Sequence, residues 1–252
     1  MPHAPRVPLA WSPGGLVAAT GSGVDVPPSR TALVTGANRG LGLAVAAELH
    51  ARGHRVVLAA RDERAAADAA GGLGADVVPL ALDVTDQASV DEAVKRAGTV
   101  DVLVNNAGVQ LDWGMSPSEV DLDQVRHTLE VNLLGAWRMA QAFLPGMVDR
   151  GWGRVVNVSS GAASFTYGPA AQCPAYSASK TALNALTVML AKETDGSGVL
   201  VNSINPGMVR TRMRPDAEQT PQEAARHIAD AALLPADGPS GVFLRGNGTI
   251  PW

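Results

Sequence analysis

Thr31-Ala32-Leu33-Val34-Thr35-Gly36-Ala37-Asn38-Arg39-Gly40-Leu41-Gly42 is the stretch on which the fold turns. A run of strand character leads straight into a glycine cluster, and an Ala-rich stretch with helical spacing follows, Gly40–Arg52. Glycines at 36, 40 and 42 permit a tight strand-to-helix turn and let the backbone approach a bound group closely. The helix start behind them offers unpaired N–H groups and a partial positive charge, a setting that suits a pyrophosphate. The spacing is Gly-x3-Gly-x-Gly rather than Gly-x-Gly-x-x-Gly, and by itself such a turn is also compatible with having no ligand.

Working outward, the same alternation repeats. Short Val/Leu/Ala runs occur at Thr31–Thr35, Arg55–Ala60, Val77–Leu82, Val100–Asn105, Arg154–Ser159, Val199–Asn205 and Gly241–Leu244. Helical spacing fills Gly40–Arg52, Asp62–Ala70, Asp86–Ala97, Ser118–Arg150, Pro174–Asp195 and Thr220–Leu233. Strands apolar on both faces, separated by helices, imply a parallel sheet covered on both sides. Right-handed crossovers make it a doubly wound, Rossmann-type α/β sheet of about seven strands, in which ligands bind beyond the carboxyl ends of the strands. No linker interrupts the pattern, so residues 30–252 read as one domain.

Composition narrows the class. The 252 residues are 46% hydrophobic and 17% charged, with a formal net charge of −4 and no basic block. Nothing there supports a nucleic-acid or anionic-membrane partner. Cys173 is the single cysteine, so no internal disulfide can form, and no Cys/His cluster has metal spacing; the chain reads as cytoplasmic. No apolar run reaches the ~18 residues of a membrane span. Residues 1–29 read as a flexible leader, with an arm packed on a neighbouring subunit as the alternative. Pro8, Pro13, Gly14 and Gly15 break the apolar stretch Leu9–Ala19 and make it a poor signal-peptide core.

Thr-Gly-x3-Gly-x-Gly after a first strand resembles the short-chain dehydrogenase/reductase family, and the resemblance extends over about 31–252. The second strand ends at Arg61-Asp62, where the adenosine ribose of a dinucleotide is expected. A carboxylate there favours NAD, and a guanidinium can clamp the 2′-phosphate of NADP. Arg61 at the tip, with Arg39 and Asn38 in the glycine turn, points to NADP(H); Asp62, one residue on, is the competing ribose ligand. The resemblance implies further cofactor contacts at Gly36, Gly40, Leu41 and Gly42, and at Asp83-Val84, where Asp83 meets the adenine. A helix N-cap role for that region is compatible. It implies backbone contact at Asn106, Ala107 and Gly108 as well, the amides also tying strands together.

Tyr176 and Lys180, four apart at the start of a helical stretch, lie one turn apart on one face. A free phenol with a pKa near ~10 is a poor proton carrier at neutral pH, and a nearby ammonium is expected to lower it. Hydride delivery to a carbonyl leaves an alkoxide that must take up a proton. By the resemblance Tyr176 is that acid–base group and Lys180 also binds the cofactor. Ser160, the second serine of Asn157-Val158-Ser159-Ser160, orients the substrate oxygen. Ser159 is the alternative, and simple turn chemistry the non-functional reading. The resemblance makes Asn132 the fourth catalytic residue, holding a relay water; a satisfied buried amide is the plain reading. Ser160 and Tyr176 are 16 residues apart, three more than in many members, as in the carbonyl-reductase-like branch, which the ending Thr249-Ile250-Pro251-Trp252 also resembles.

After the sixth strand, Pro206, Gly207, Val209 and Thr211 match the family's nicotinamide-side turn. Few residues separate Pro206 from the next helix near Thr220, so the expected lid is short and the pocket permissive. Gln110, Trp113, Phe165, Cys173, Met208 and Met213 are candidate lining residues for a small carbonyl or alcohol substrate, and each could equally be loop packing. The expected activity is NADP(H)-dependent interconversion of a ketone or aldehyde and an alcohol. A same-fold dehydratase, epimerase or cyclase, and a non-catalytic NADP(H)-binding regulator, are the alternatives. Both monomeric and homo-oligomeric states fit, with the helical stretches Ser118–Arg150 and Pro174–Asp195 as the surfaces available for pairing.

Overall fold

The computed structural model describes residues 29–252, so the leader expected over 1–29 lies outside the described residues except for Ser29. The strands β1 (Thr31–Thr35), β2 (Arg55–Ala60), β3 (Val78–Ala81), β4 (Val102–Asn105), β5 (Gly153–Val158), β6 (Val199–Ile204), β7 (Phe243–Arg245) and β8 (Gly248–Ile250) form one sheet. Its order is β3-β2-β1-β4-β5-β6-β7-β8. All pairings are parallel except β7 with β8. The helices are α1 (Gly40–Ala51), α2 (Glu63–Gly71), α3 (Gln87–Ala97), α4 (Leu122–Leu129), α5 (Ala136–Asp149), α6 (Pro174–Glu193) and α7 (Pro221–Ala232).

The apolar alternation of the strands sorts the helices into two layers. Leu33, Val57, Leu103, Val155 and Val201 point to one face and pack with Val90 of α3, Met139 and Phe143 of α5, and Leu183 and Leu186 of α6. Ala32, Val34, Val56, Leu58, Val104 and Ile204 point to the other, against Val45 and Leu49 of α1, Ala66 of α2, and Ile228 of α7. A strand buried on both faces has no polar side to show, which is why the runs read as continuous Val/Leu/Ala. Sheet order reverses between β1 and β4, the point at which crossover helices diverge and leave a crevice beyond the strand ends.

The expected count of about seven strands is met by seven parallel ones with a short eighth: β8 is three residues, partly exposed, and turns back on β7 through Gly246 and Asn247, too short to show a period. Two expectations for the stretch from Ser118 are corrected. The helix expected from Ser118 begins at Leu122, because the Asp121 side chain accepts the Asp123 N–H and caps it there. That helix is also not uniform, since Glu130–Gly135 winds as a π-helix between α4 and α5. Such segments occur often at functional sites.

Gly135 closes the π segment and lies against Val84 at the end of β3's loop. A Cβ on Gly135 would come within 2.6 Å of Val84 Cγ2 and 3.0 Å of its Cβ. Helix propensity alone would make alanine better by roughly 1 kcal/mol. Overpacking against a stiff β-branched side chain costs about 1–3 kcal/mol and should win. Gly135→Ala is therefore expected to lower the urea-denaturation midpoint; a raised midpoint would show that propensity dominates.

Candidate active site

A cavity of about 850 Å³ opens beyond the carboxyl ends of the strands, at the upper part of the range for small-molecule sites. Its floor is the glycine turn. Gly36 and Gly40 adopt φ of 62° and 55°, and a Cβ on Gly42 would lie 2.4 Å from the Gly36 carbonyl. Only glycine lets the turn close this tightly. Arg39, at the N-cap of α1, makes no side-chain cap bond, so no local side chain covers the start of that helix. The turn is held from β4. Thr35 Oγ1 accepts the N–H groups of Asn106 and Ala107, each at 3.0 Å, and Asn106 Nδ2 donates to the Thr35 carbonyl at 2.9 Å. Asn105 Nδ2 donates to Asn157 Oδ1 at 2.9 Å and so ties β4 to β5.

Arg39 and Arg61 are both exposed and line the cavity. Among the described residues neither is paired with a carboxylate within salt-bridge distance. Asp62 does not line the cavity; its Oδ1 accepts the Ala65 N–H at 2.6 Å and caps α2. Asp83 lines the cavity, and its Oδ1 accepts from the Thr85 N–H at 2.9 Å and hydroxyl at 2.7 Å. Burial alone would raise its pKa, but the Thr85 bonds, with Arg61 and His127 nearby, hold the carboxyl below its ordinary value. The N-cap of α3 is Asp86, so Asp83 is not that cap.

At the other end stand Ser160, Tyr176 and Lys180. Ser160 Oγ accepts the Ala162 N–H at 3.2 Å, capping the short 3₁₀ turn Gly161–Ala163 and leaving its own proton free to donate. Ser159 is buried with no partner for its hydroxyl. Lys180 Nζ donates to the Val158 carbonyl at 2.8 Å and lies 5.8 Å from the Tyr176 ring centre. Burial pushes the Tyr176 phenol up to about 12, the Ser160 hydroxyl working against that and Cys173 adding to it. Burial pushes the Lys180 ammonium down to about 8. The direction is opposite to the expected lowering: burial dominates at the phenol, and Lys180 is not among the groups that act on it.

Asn132 does not line the cavity. It lies under Gly108, where a Cβ would sit 3.3 Å from Asn132 Oδ1 and 3.5 Å from Lys180 Nζ. Its Oδ1 accepts the Val109 N–H at 2.8 Å, and its Nδ2 donates to the Val109 carbonyl at 2.9 Å and Ser179 Oγ at 3.0 Å. The amide is satisfied by protein atoms, and it couples the end of β4 to α6.

On the substrate side Gln110, Trp113, Cys173, Met208 and Met213 line the cavity. Phe165 does not; it stands 73% exposed outside it. Burial keeps the Cys173 thiol above its ordinary pKa, so it is a neutral wall. The short lid is clasped at its base, where Arg210 N–H donates to the Gln219 carbonyl at 2.8 Å. Its Thr211 packs toward Gly40 of the turn. Arg214 of the lid lies 4.6 Å over the Trp113 ring and pairs with Asp216 at 3.2 Å. Arg212, Arg214, Arg245 and His127 also line the cavity, although the sequence alone did not single them out. Arg212 and Arg214 lie in a loop with no periodic signal, and neither the helix that carries His127 nor the short strand that ends at Arg245 shows by its pattern which residue faces the cavity. Among the described residues no group of three or more His, Cys, Asp or Glu could hold a metal, and no helix is long and apolar enough to cross a membrane.

Known proteins resemble this chain in sequence and fold. The chain is 40% identical over 191 residues to oxidoreductase UcpA of Salmonella typhimurium, covering 73% of this chain and 71% of that protein. A solved 3-ketoacyl-(acyl-carrier-protein) reductase from Brucella melitensis, complexed with NADH, superposes with a TM-score of 0.80 at 27% identity, covering 86% of this chain and 96% of that one. A short-chain dehydrogenase from Streptomyces avermitilis gives 0.75 at 30% identity, with 86% and 88% covered. The family described as short chain dehydrogenase matches residues 30–222, and the chain belongs to that family of oxidoreductases.

Proposed function

We propose that this chain is an NADP(H)-dependent reductase or dehydrogenase that interconverts a ketone or aldehyde and an alcohol, with Tyr176 passing the proton. The observation that carries this reading is the convergence of Ser160, Tyr176 and Lys180 at one end of a cavity whose other end is the glycine turn. The turn fits a dinucleotide, with an uncapped helix start and a glycine at 42 that cannot carry a Cβ. The choice of NADP(H) rests on Arg39 and Arg61 lining the adenosine end while Asp62 is spent as a helix cap. The bound nicotinamide would supply or accept the hydride. Ser160 is free to donate to the substrate oxygen and hold it toward Tyr176. A phenol with a high pKa stays protonated across the physiological range and can give its proton to an alkoxide as that charge develops. Lys180 supplies positive charge below that phenol, and Asn132 acts as a positioning residue that holds Gly108, Val109 and α6 together.

A panel of ketones and aldehydes with NADPH, followed by loss of cofactor absorbance, tests the whole reading. Tyr176→Phe is expected to cut kcat by about 10²–10⁴-fold; equal activity in the variant would sink the mechanism. Conversion without net NADPH loss would favour the dehydratase, epimerase or cyclase alternative.

Arg61→Asp should raise the Kd for NADPH by roughly 10–100-fold, the range for losing charge-assisted bonds to one phosphate, and should improve NADH binding. Unchanged NADPH affinity would remove Arg61 from the phosphate site.

The pH profile follows from Lys180. Its ammonium is present below about 8 and lost above it, while Tyr176 remains protonated up to about 12. For ketone reduction kcat/KM is therefore expected to fall as pH rises through about 8. Lys180→Arg, which stays charged, should be slower but lack that inflection. A wild-type profile flat to pH ~10 would contradict the assignment.

A further inference from the structure

Asp112, on the segment between β4 and α4, is fully buried and does not line the cavity. Its Oδ2 accepts the backbone N–H of Ala175 at 2.6 Å and of Tyr176 at 3.3 Å. These are first-turn donors of α6, and the helix does not satisfy them from its own sequence. Cys173 at the N-cap makes no side-chain cap bond, and Pro174 follows it. The cap comes instead from a residue 63 positions away. Serine or threonine at the N-cap would satisfy these donors more simply. Asp112 leaves its Oδ1 buried with no hydrogen-bond partner, a costly arrangement for a carboxylate even at a favourable helix N-terminus. The same segment is latched once more, Gly114 N–H donating to the Gln172 carbonyl at 2.8 Å. Its next residue, Trp113, walls the substrate side.

We infer that Asp112 is a positioning residue for the reaction: by binding the Tyr176 N–H from the segment that carries Trp113, it keeps the proton donor in register with the substrate wall. The inference rests on Tyr176 being the proton donor. Proton transfer needs heavy atoms about 2.6–3.2 Å apart, and a displacement of ~1 Å costs on the order of 10²-fold in rate. Asp112 touches neither cofactor nor substrate in this role, so its effect belongs in kcat.

Asp112→Ala, Asp112→Asn, Asp112→Glu and Tyr176→Phe are compared with the wild type, using NADPH with acetophenone and ethyl acetoacetate. NADPH Kd is read from cofactor fluorescence. The chain has only two tyrosines, Tyr167 and Tyr176, so ring-¹³C-tyrosine NMR gives two signals, assigned by Tyr176→Phe. In Asp112→Ala kcat is expected to fall at least about tenfold with NADPH Kd unchanged, and the Tyr176 signal should shift and broaden while Tyr167 stays put. Asp112→Asn keeps an acceptor oxygen and should restore kcat to within about threefold. If Asp112→Ala does not fold, Asp112→Glu keeps the charge but moves the acceptor, and the same pattern is expected. Wild-type kcat in Asp112→Ala or Asp112→Glu, or loss of NADPH affinity in step with kcat, would overturn the inference. If neither ketone is turned over the NMR decides: an unmoved Tyr176 signal overturns it, and a shift reversed in Asp112→Asn supports it. Full activity in Tyr176→Phe would instead remove the reading on which the inference rests.

Discussion

The tie between the ends of β1 and β4 is the constraint on which the rest of the molecule depends. At this point the sheet order reverses and the crossover helices diverge, so the strand ends are uncovered and their backbone groups need other partners. Thr35 and Asn106 provide them, bonding across the gap through both side chain and main chain. The glycine turn can therefore stay open toward the cavity while its frame remains rigid. Loosening this tie would disturb both ends of the site, because the segment leaving β4 continues through Gly108 and Val109 to Asn132 and Lys180.

Electrostatics at the catalytic end follow from the same burial. A phenol and an ammonium at the wall of the cavity are each driven toward their neutral forms, the phenol upward and the amine downward. The Val158 carbonyl gives Lys180 one fixed bond, which steers the ammonium as well as satisfying it. Among the described residues no carboxylate pairs with the lysine within salt-bridge distance.

Much of this was legible in the sequence, for identifiable reasons. Strands buried on both faces betray themselves as unbroken Val/Leu/Ala runs, and Gly36, Gly40 and Gly42 could mark the turn because their role is local. Tyr176 and Lys180 come together because a helix puts residues four apart on one face. What could not be read depends on distant contacts. The π-helical turn at Glu130–Gly135 is a change in backbone bonding with no composition of its own. The direction of the Tyr176 shift depends on its burial in the folded chain, which spacing does not report. Asp112 carries no local mark between Leu111 and Trp113; the one hint lies far downstream, in a helix opening with Cys173-Pro174 and no good N-cap. Phe165 failed as a lining residue because a loop sequence does not say which way a side chain faces.

The longer loop after Ser160 shows how such freedom is removed. Thr166 N–H and hydroxyl both donate to the Trp252 carbonyl, at 3.1 and 2.9 Å, and Ser164 Oγ donates to the Pro251 carbonyl at 3.1 Å. Trp252 is itself held by stacking on Phe243 of β7, with ring centres 5.4 Å apart and planes 9° from parallel. The loop is thus fastened to the sheet through residues about 90 positions away, at a length where closing it by local structure alone would be entropically costly. Its other end runs into Cys173 and the start of α6, where Asp112 takes over. That wall of the cavity draws on the segment carrying Trp113 and the loop ending at Cys173, both held by long-range hydrogen bonds, and on the stretch Met208–Met213, clasped locally by Arg210 and Gln219. The two sides are therefore coupled: Asp112 joins the segment that carries Trp113 to the start of the helix that carries Tyr176 and Lys180.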